Sequence, residues 1–282
     1  MAEEKNKVEA STLYLVATPI GNLSDISERA KKVLSEVDFI AAEDTRNSLR
    51  LLMALGIRGE LISYHEHNKK ASGEKIVERL LSGESCALIT DAGMPAISDP
   101  GEDIVRLAAD AGITVSVIPG ACAAVSALSV SGLETGRFAF EGFLPVQRAE
   151  RKKRLAAVKN EERTMIFYEA PHKLCQTLAD MRETFGGERK ISLCRELTKL
   201  NEEIIRTDLD GAVALHGERE PRGEYVLIVE GGACEAPGCE LPPKEQVEAY
   251  MDEGMKKMDA IKRVAKERGV PKDDIYKLFI NN

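Results

Sequence analysis

The first part of the chain alternates between short apolar runs and amphipathic helical patterns, and this alternation constrains the fold more than any other feature. The apolar runs cover 13–17, 39–42, 61–64, 86–89 and 114–118. Short runs of this kind between helical patterns are typical of buried strands. Strands and helices that alternate in this way form a mostly parallel sheet with helices on its faces. The sequence therefore predicts an α/β fold.

Each of these runs ends in a loop of small, polar or conformationally restricted residues. The loop 90–101 is the most restricted, because it holds two glycines, two prolines and two aspartates in twelve residues. Such a loop has a defined shape, and Gly93 allows the backbone to approach a ligand closely. The carboxyl ends of parallel strands meet at one edge of a sheet, where open α/β sheets bind ligands. We therefore expect a functional site at that edge.

A second α/β region follows, with apolar runs at 138–140, 164–168, 191–194 and 225–229. Hairpin pairing of the last run with a neighbour predicts a mixed sheet. The remainder of the chain is polar and helical in pattern, and it contains a helix-turn-helix-like segment at 259–271.

These patterns divide the chain into five parts. We expect a disordered lead over 1–11, an N-terminal α/β domain over 12–122 and a C-terminal α/β domain over 123–232. A linker rich in glycine, proline and cysteine follows at 233–243, and a small helical domain is expected over 244–282.

Composition narrows the possible functions. A net charge of −8 argues against a protein that coats nucleic acid, although a local basic patch can still contact a folded RNA. The six cysteines form no CxxC pair, so we expect a reducing cytoplasm and no disulfide framework. The segment 65–67 (His-Glu-His) lacks a third ligand, so no metal is predicted. No apolar run approaches the ~20 residues that cross a bilayer, so no membrane partner is expected.

Motifs for other common chemistries are missing. The sequence contains neither GxGxxG nor a Walker A motif, which disfavours ordinary dinucleotide and P-loop binding. Cys122 follows Pro119-Gly120 and is a possible nucleophile, but a small buried cysteine at a helix start is the simpler interpretation.

Six segments carry a family resemblance, and they occur in this order: 19–23 (PIGNL), 42–46 (AEDTR), 91–101 (DAGMPAISDPG), 119–120 (PG), 167–172 (FYEAPH) and 195–199 (RELTK). Together they resemble the ribosomal RNA methyltransferases of the tetrapyrrole methylase superfamily, over about 12–232. The resemblance implies two α/β domains with a cofactor cleft between them, and a homodimer. It also implies S-adenosylmethionine as the cofactor. The implied reaction is methylation of the ribose 2′-hydroxyl of a cytidine in the decoding region of 16S ribosomal RNA, within the small ribosomal subunit.

The same resemblance implies a set of cofactor-binding residues. Carboxylates suit the cationic sulfonium of this cofactor, and free backbone groups suit its adenine and its carboxylate. The set is Pro19, Asp91, Ala92, Gly93, Ile97, Cys122, Ala123, Glu169, Leu197, Thr198, Glu224 and Tyr225.

Further residues are candidates for catalysis and for contact with RNA. A ribose hydroxyl is a poor nucleophile, so a base near its proton would help, and Glu43 and Glu169 both follow predicted strands. Lys199 could be that base if burial lowered its pKa, or it could hold a phosphate. The candidates for contact with substrate RNA are Arg46, His65, Asn68 and Arg195. A structural ion pair is the alternative for the charged residues.

Two other functions remain open at this point. The same scaffold could methylate a tetrapyrrole of the precorrin type, or it could be a non-catalytic ribosome-binding factor. The basic stretch 148–154, the segment 43–46 and the helical tail favour RNA.

Overall fold

Five parallel strands form the first sheet. They are β1 (Thr12–Val16), β2 (Phe39–Ala42), β3 (Glu60–Ser63), β4 (Cys86–Ile89) and β5 (Thr114–Ile118). Their order in the sheet is β3-β2-β4-β1-β5, and every neighbouring pair is parallel. All residues of β2 and β4 are buried, as expected for strands covered on both faces. The α/β prediction is confirmed.

Four helices cover this sheet: α1 (Glu28–Glu36), α2 (Thr45–Ala54), α3 (Lys69–Leu81) and α4 (Gly101–Asp110). Alternate side chains of each strand face opposite ways, so the core forms two clusters, one on each face of the sheet. Helices α2 and α3 begin three or four residues earlier than the apolar pattern predicts, because their first turns are polar.

The second sheet contains β6 (Phe138–Phe143), β7 (Thr164–Glu169), β8 (Lys190–Arg195), β9 (Glu203–Asp208) and β10 (Tyr225–Val229). Its order is β6-β7-β10-β8-β9. Strands β6 and β7 are parallel, and the other pairs are antiparallel. The predicted mixed sheet is therefore present. The sequence analysis missed β9, because this edge strand is only partly buried and carries three charged residues.

Four helices belong to this second region: α5 (Ala123–Ser131), α6 (Arg148–Ala157), α7 (Pro171–Phe185) and α8 (Leu209–Glu218). Helix α5 packs on the second sheet in a cluster that includes Leu128, Ile166 and Ile228. Helix α8 was also missed by the sequence analysis.

The C-terminal helices form a unit with its own core. They are α9 (Pro243–Asp252), α10 (Lys257–Glu267) and α11 (Lys272–Lys277), and they enclose Val247, Ile261, Val264 and Ile275. Cationic side chains of α10 and the turn after it are engaged within this unit. Arg263 pairs with Glu267, and Arg268 donates to the Gln246 side chain.

The computed structural model describes residues 7–218, 220–232, 241–252 and 254–279. Most of the expected lead (1–11) and linker (233–243) therefore lies outside the described residues. The chain divides into two units. One comprises residues 1–156 and 163–230, with both sheets, and the other comprises 157–162 and 231–282. Within the described ranges, no helix is long and apolar enough to cross a membrane.

A buried ion pair joins α6 to α7. Asp180 is fully buried, and its carboxylate accepts hydrogen bonds from Arg151 (2.9 Å), Arg148 (3.3 Å) and Gln176 (3.1 Å). The basic stretch 148–154 is thus largely paired with carboxylates of its own unit, because Lys152 and Arg154 contact glutamates as well. The sequence alone favoured RNA contact for this stretch, but four of its cations form ion pairs within the protein.

Replacing Arg151 with methionine is expected to lower the free energy of unfolding by about 3 kcal/mol, because a buried carboxylate loses its main partner. The control is Lys152→Met, which removes an exposed ion pair with Glu183 and should cost less than about 1 kcal/mol. Urea denaturation followed by circular dichroism measures both effects. Equal losses in the two variants would contradict the structural role of the buried pair.

Candidate functional site

The carboxyl edge of the first sheet and one end of the second sheet enclose a cavity of about 550 Å³. The first half of the chain contributes residues that follow β1, β2, β4 and β5. The second half contributes the end of β7, the segment after β8 and the start of β10. Both halves belong to the same unit of the chain. Four of the five loops expected at this edge therefore meet in one space, and the loop after β3 does not line it.

The loop after β4 is held in shape by two sets of hydrogen bonds. Gly93 (φ +88°) forms a backbone bridge with Thr18, with N···O distances of 2.9 and 3.1 Å. Asp99 Oδ1 accepts from the backbone N–H groups of Ala96 (3.0 Å) and Gly101 (2.7 Å). Ala96 and Ser98 are both left-handed, at φ 67° and 66°, a conformation that costs energy for residues other than glycine. The Asp99 carboxylate stabilises this strained turn.

The other oxygen of Asp99 lacks a hydrogen-bond partner. Asp99 Oδ2 is buried, and it accepts no hydrogen bond from a described residue. A buried acceptor without a partner is costly, so its position on the cavity wall points to a donor supplied from outside the chain.

Carboxylates dominate the charge of the cavity wall. Glu43 Oε2 accepts a hydrogen bond from the Thr90 hydroxyl at 2.8 Å. Glu169 is buried, and its two oxygens accept from the Ala170 N–H (2.9 Å) and the Thr177 hydroxyl (2.5 Å). Both hydrogen bonds hold it at the N-terminus of α7, where the helix dipole favours an anion. The acidic residues on the wall are Glu43, Asp91, Asp99, Glu169 and Glu224.

Lys199 is the lysine of the wall, and it is held by two carboxylates. Its Nζ lies 2.8 Å from Glu196 Oε1 and 2.8 Å from Glu224 Oε2. Partial burial acts to lower the pKa of Lys199, but the two carboxylates outweigh it and raise the pKa above its ordinary value. The lowered pKa that a base role requires is therefore not found, and Lys199 carries a proton at neutral pH.

Most predicted cofactor residues share this cavity. Pro19 and Thr198 do not line it, but their neighbours Ile20 and Lys199 do, and the Thr198 hydroxyl is a further buried oxygen without a partner among the described residues. The three catalytic candidates, Glu43, Glu169 and Lys199, all lie on the wall. The roles of all these residues remain predictions. The predicted cofactor residues that line the cavity are Asp91, Ala92, Gly93, Ile97, Cys122, Ala123, Glu169, Leu197, Glu224 and Tyr225.

The four RNA candidates lie off the cavity wall, and the side chains of three of them, Arg195, Asn68 and Arg46, have hydrogen-bond partners within the chain. Arg195 is mostly buried, and it donates to the Arg222 carbonyl (2.6 Å) and to Glu203 (3.2 Å). The Asn68 side chain accepts from the His65 N–H and donates to a backbone carbonyl, so it closes its own turn. The backbone of His65 belongs to the same turn.

Arg46 differs from these residues because its side chain is 87% exposed. Its guanidinium donates two hydrogen bonds to Asp44, at 3.1 and 2.9 Å. These hydrogen bonds lower the pKa of Asp44 to about 2. The pair lies at the start of α2, directly after Glu43. Arg46 remains a candidate for contact with a phosphate outside the cavity.

Some wall residues were not predicted from the sequence. Tyr168, Ala170, Pro171 and His172 flank Glu169 within a motif that was recognised, so their position could have suggested them. Phe143 had no such signal, because the apolar run of its strand was expected to end at residue 140. The others are Ile20, Thr90, Met94, Ser98, Cys194 and Val226.

A family model and several solved structures identify the class of protein to which this fold belongs. A family model described as Tetrapyrrole (Corrin/Porphyrin) Methylases matches residues 12–212. Among solved structures, a uroporphyrin-III-C-methyltransferase from Thermus thermophilus has a TM-score of 0.54 and 21% identity, covering 77% of this chain and 94% of that chain. A diphthine synthase has a TM-score of 0.59 and 12% identity, covering 78% and 90%. The protein thus has the tetrapyrrole methylase fold.

Sequence relatives define the family within that class. A protein of Halalkalibacterium halodurans is 49% identical over 96% of this chain and 95% of its own length. One of Bacillus subtilis is 47% identical over 97% and 95%, and one of Pseudomonas aeruginosa is 52% identical over 79% and 80%. All three bear the name ribosomal RNA small subunit methyltransferase I. The chain belongs to this family of tetrapyrrole methylases.

A change at Gly21 tests how closely the two halves approach each other at the site. In Gly21→Ala the added Cβ would overlap Lys199 Cγ and would lie 3.2 Å from the Leu197 carbonyl oxygen. Overpacking of this kind is expected to cost about 1–3 kcal/mol of unfolding free energy. The control is Gly136→Ala, where the Cβ meets no atom within 4 Å. If urea denaturation shows the two variants to be equally stable, the close approach at Gly21 is wrong.

Proposed function

We propose that this protein transfers a methyl group from S-adenosylmethionine to the ribose 2′-hydroxyl of a cytidine in the decoding region of 16S ribosomal RNA. The observation that carries the proposal is a single cavity that collects the loops of both halves and is lined by five carboxylates. The names of the relatives support ribosomal RNA of the small subunit as the substrate. The proposal includes a homodimer, a cytoplasmic location and no metal.

The cavity fits this cofactor in size and in charge. A volume of about 550 Å³ lies within the range of small-molecule sites. The cofactor has a sulfonium and an ammonium group, and the wall offers carboxylates at Asp91 and Glu169 and the partnerless oxygen of Asp99. A Thermus thermophilus uroporphyrin-III C-methyltransferase of the same fold was solved with S-adenosyl homocysteine (TM-score 0.55, 16% identity). We therefore assign the predicted cofactor residues on the wall to this ligand.

When bound, the cofactor supplies an electrophilic methyl group on a positively charged sulfur. The protein's task is then to align a hydroxyl with that methyl group, to exclude water and to receive the hydroxyl proton. A cavity wall of fixed carboxylates stabilises the donor's positive charge. It also repels phosphates, so the wall favours the uncharged base and ribose of the target nucleotide, with the flanking phosphates held towards the rim.

Glu43 receives the proton in this proposal. One of its oxygens accepts a hydrogen bond from the Thr90 hydroxyl, and this is the side-chain hydrogen bond that the described residues give Glu43. Both oxygens of Glu169 are already engaged by the protein, so this residue acts as a fixed negative charge beside the donor. Lys199 is ion-paired and positively charged, so it supports the loop after β8 and takes no proton. Arg46 contacts a phosphate at the rim.

The decisive experiment maps ribose methylation in small-subunit RNA from cells with and without this gene. Loss of the 2′-O-methyl group from one cytidine of the decoding region, and its return when the gene is restored, is the expected result. Unchanged methylation at that cytidine would contradict the assignment.

Two rival functions are separated by simple assays. A tetrapyrrole methyltransferase would transfer label from S-adenosylmethionine to a precorrin and leave assembled small subunits unlabelled. A non-catalytic ribosome-binding factor would give no heat of binding with S-adenosylhomocysteine in calorimetry. We expect label on the small subunits and measurable binding of S-adenosylhomocysteine.

Glutamine variants distinguish the two glutamates. Glu43→Gln should lower kcat about 100-fold, as for loss of a general base, and leave the Kd of S-adenosylhomocysteine within about threefold. Glu169→Gln removes the fixed charge beside the donor and should raise that Kd about tenfold. The exposed Glu102→Gln on α4 is the control and should match wild type. A normal kcat in Glu43→Gln would eliminate Glu43 as the base.

The pH profile provides a separate test of Lys199. Since its pKa is raised, a lysine base would be almost fully protonated at neutral pH, and the rate would climb about tenfold per pH unit in the alkaline range. Carboxylates are ordinarily ionised at neutral pH, so a glutamate base predicts a nearly constant rate from about pH 7 to 9. A steep alkaline rise that disappears in Lys199→Met would restore Lys199 as the base.

A further inference from the structure

Three aromatic rings meet at one wall of the cavity. The ring centroids of Phe140 and Phe143 lie 5.1 and 5.4 Å from that of Tyr168, and both contacts are edge-to-face. Edge-to-face pairs at this distance stabilise each other. Phe143 and Tyr168 line the cavity, and Tyr168 directly precedes Glu169.

A β-bulge creates this cluster. In the register between β6 and β7, Phe140 pairs with Ile166 and Phe143 pairs with Tyr168, with the irregularity between Phe140 and Gly142. In a regular strand, residues three apart point to opposite faces of the sheet. The extra residue places Phe140 and Phe143 on the same face, on which Tyr168 also lies. Bulges that redirect a side chain in this way are common beside active sites.

Gly142 makes the bulge possible and brings the strand close to the loop after β4. Its φ of +64° is unfavourable for other residues, and a Cβ there would lie 3.2 Å from Ser98 Oγ. The Tyr168 hydroxyl accepts a hydrogen bond from the Ala124 N–H (3.2 Å) at the start of α5, which fixes the ring that supports Phe143. The position of Phe143 is thus built into the fold.

Phe143 nevertheless remains open to solvent. Among the described residues of the cavity wall, two large aliphatic or phenyl side chains are more than a third exposed, Ile97 at 42% and Phe143 at 57%. The family resemblance places Ile97 against the adenosine of the cofactor. The Phe143 ring contacts Tyr168, but more than half of its surface remains open to a ligand.

We propose that Phe143 is the platform on which the base of the target nucleotide stacks. This inference rests on the proposed function. The target nucleotide must leave its helical stack so that its ribose can reach the proton-accepting glutamate inside the cavity. In RNA-binding proteins, aromatic side chains commonly replace the stacking that such a nucleotide loses. The ligand class is a pyrimidine base on an intact RNA. The phenyl ring carries no charge and can stack on an uncharged base. The surrounding carboxylates repel the RNA phosphates but do not repel the base.

Substitutions at Phe143 separate stacking from folding. Phe143→Ala and Phe143→Leu should each raise KM for assembled small subunits about tenfold, and Phe143→Tyr should stay within about threefold of wild type. The Kd of S-adenosylhomocysteine, measured by calorimetry, should not change in any of them. The matched control is Phe138→Ala, which removes another exposed phenylalanine (41%) of the same strand that does not line the cavity.

Fluorescence gives a direct readout, because the chain contains no tryptophan. In Phe143→Trp the new indole would be the only one of this chain, and stacking on a base quenches indole emission. Titration with small subunits in the presence of S-adenosylhomocysteine, after subtraction of the emission of the subunits with wild-type protein, should quench Phe143→Trp and should affect Phe138→Trp only through absorption by the RNA.

Each outcome has one meaning. If the wild-type protein labels no small-subunit RNA, the proposed function fails before Phe143 is tested. If wild type is active and Phe143→Ala behaves like Phe138→Ala, the stacking role is wrong. If sedimentation shows that Phe143→Ala changes the oligomeric state while Phe143→Trp is not quenched, the ring belongs to an interface between two copies of the chain, and the proposal is overturned.

Discussion

Parallel pairing of five short strands is the constraint on which the site depends. Because every neighbouring pair in the first sheet is parallel, the carboxyl ends of all five strands meet at one edge. Loops that are distant in sequence are thereby brought together, and the backbone bridge between Thr18 and Gly93 joins two of them directly. The strained turn at 96–98 persists because Asp99 accepts from the backbone on both sides of it.

Negative charge predominates on the cavity wall at this edge. Acidic side chains line the cavity, while the basic residues that could oppose them are paired elsewhere, Arg151 with buried Asp180 and Arg195 with Glu203. Lys199 does lie on the wall, but its positive charge is paired with two carboxylates. This arrangement suits a small cationic ligand and a neutral nucleoside. Any steering of a polyanion falls to residues outside the cavity, of which Arg46 is the exposed candidate.

The position of the site follows from the sequence more fully than the roles of its residues do. Strand ends and restricted loops follow from local patterns, so the edge of the first sheet and most of the wall could be anticipated. Pairing partners are not visible in a sequence. The hydrogen bonds that occupy Arg195 and Asn68, and the carboxylates that raise the pKa of Lys199, come from residues made neighbours by folding. Strand β9 was missed for a related reason, since an edge strand needs no continuous apolar run.

The sequence by itself determined the α/β class, most of the strand positions and the family, because apolar periodicity and the six ordered motifs are local properties of the chain. The tertiary structure alone decided which side chains face the cavity and what each one contacts. The bulge at Gly142 shows the physical reason. A shift of one residue in the register between β6 and β7 moves Phe143 to the face that carries Tyr168, and such a register is set by pairing between strands.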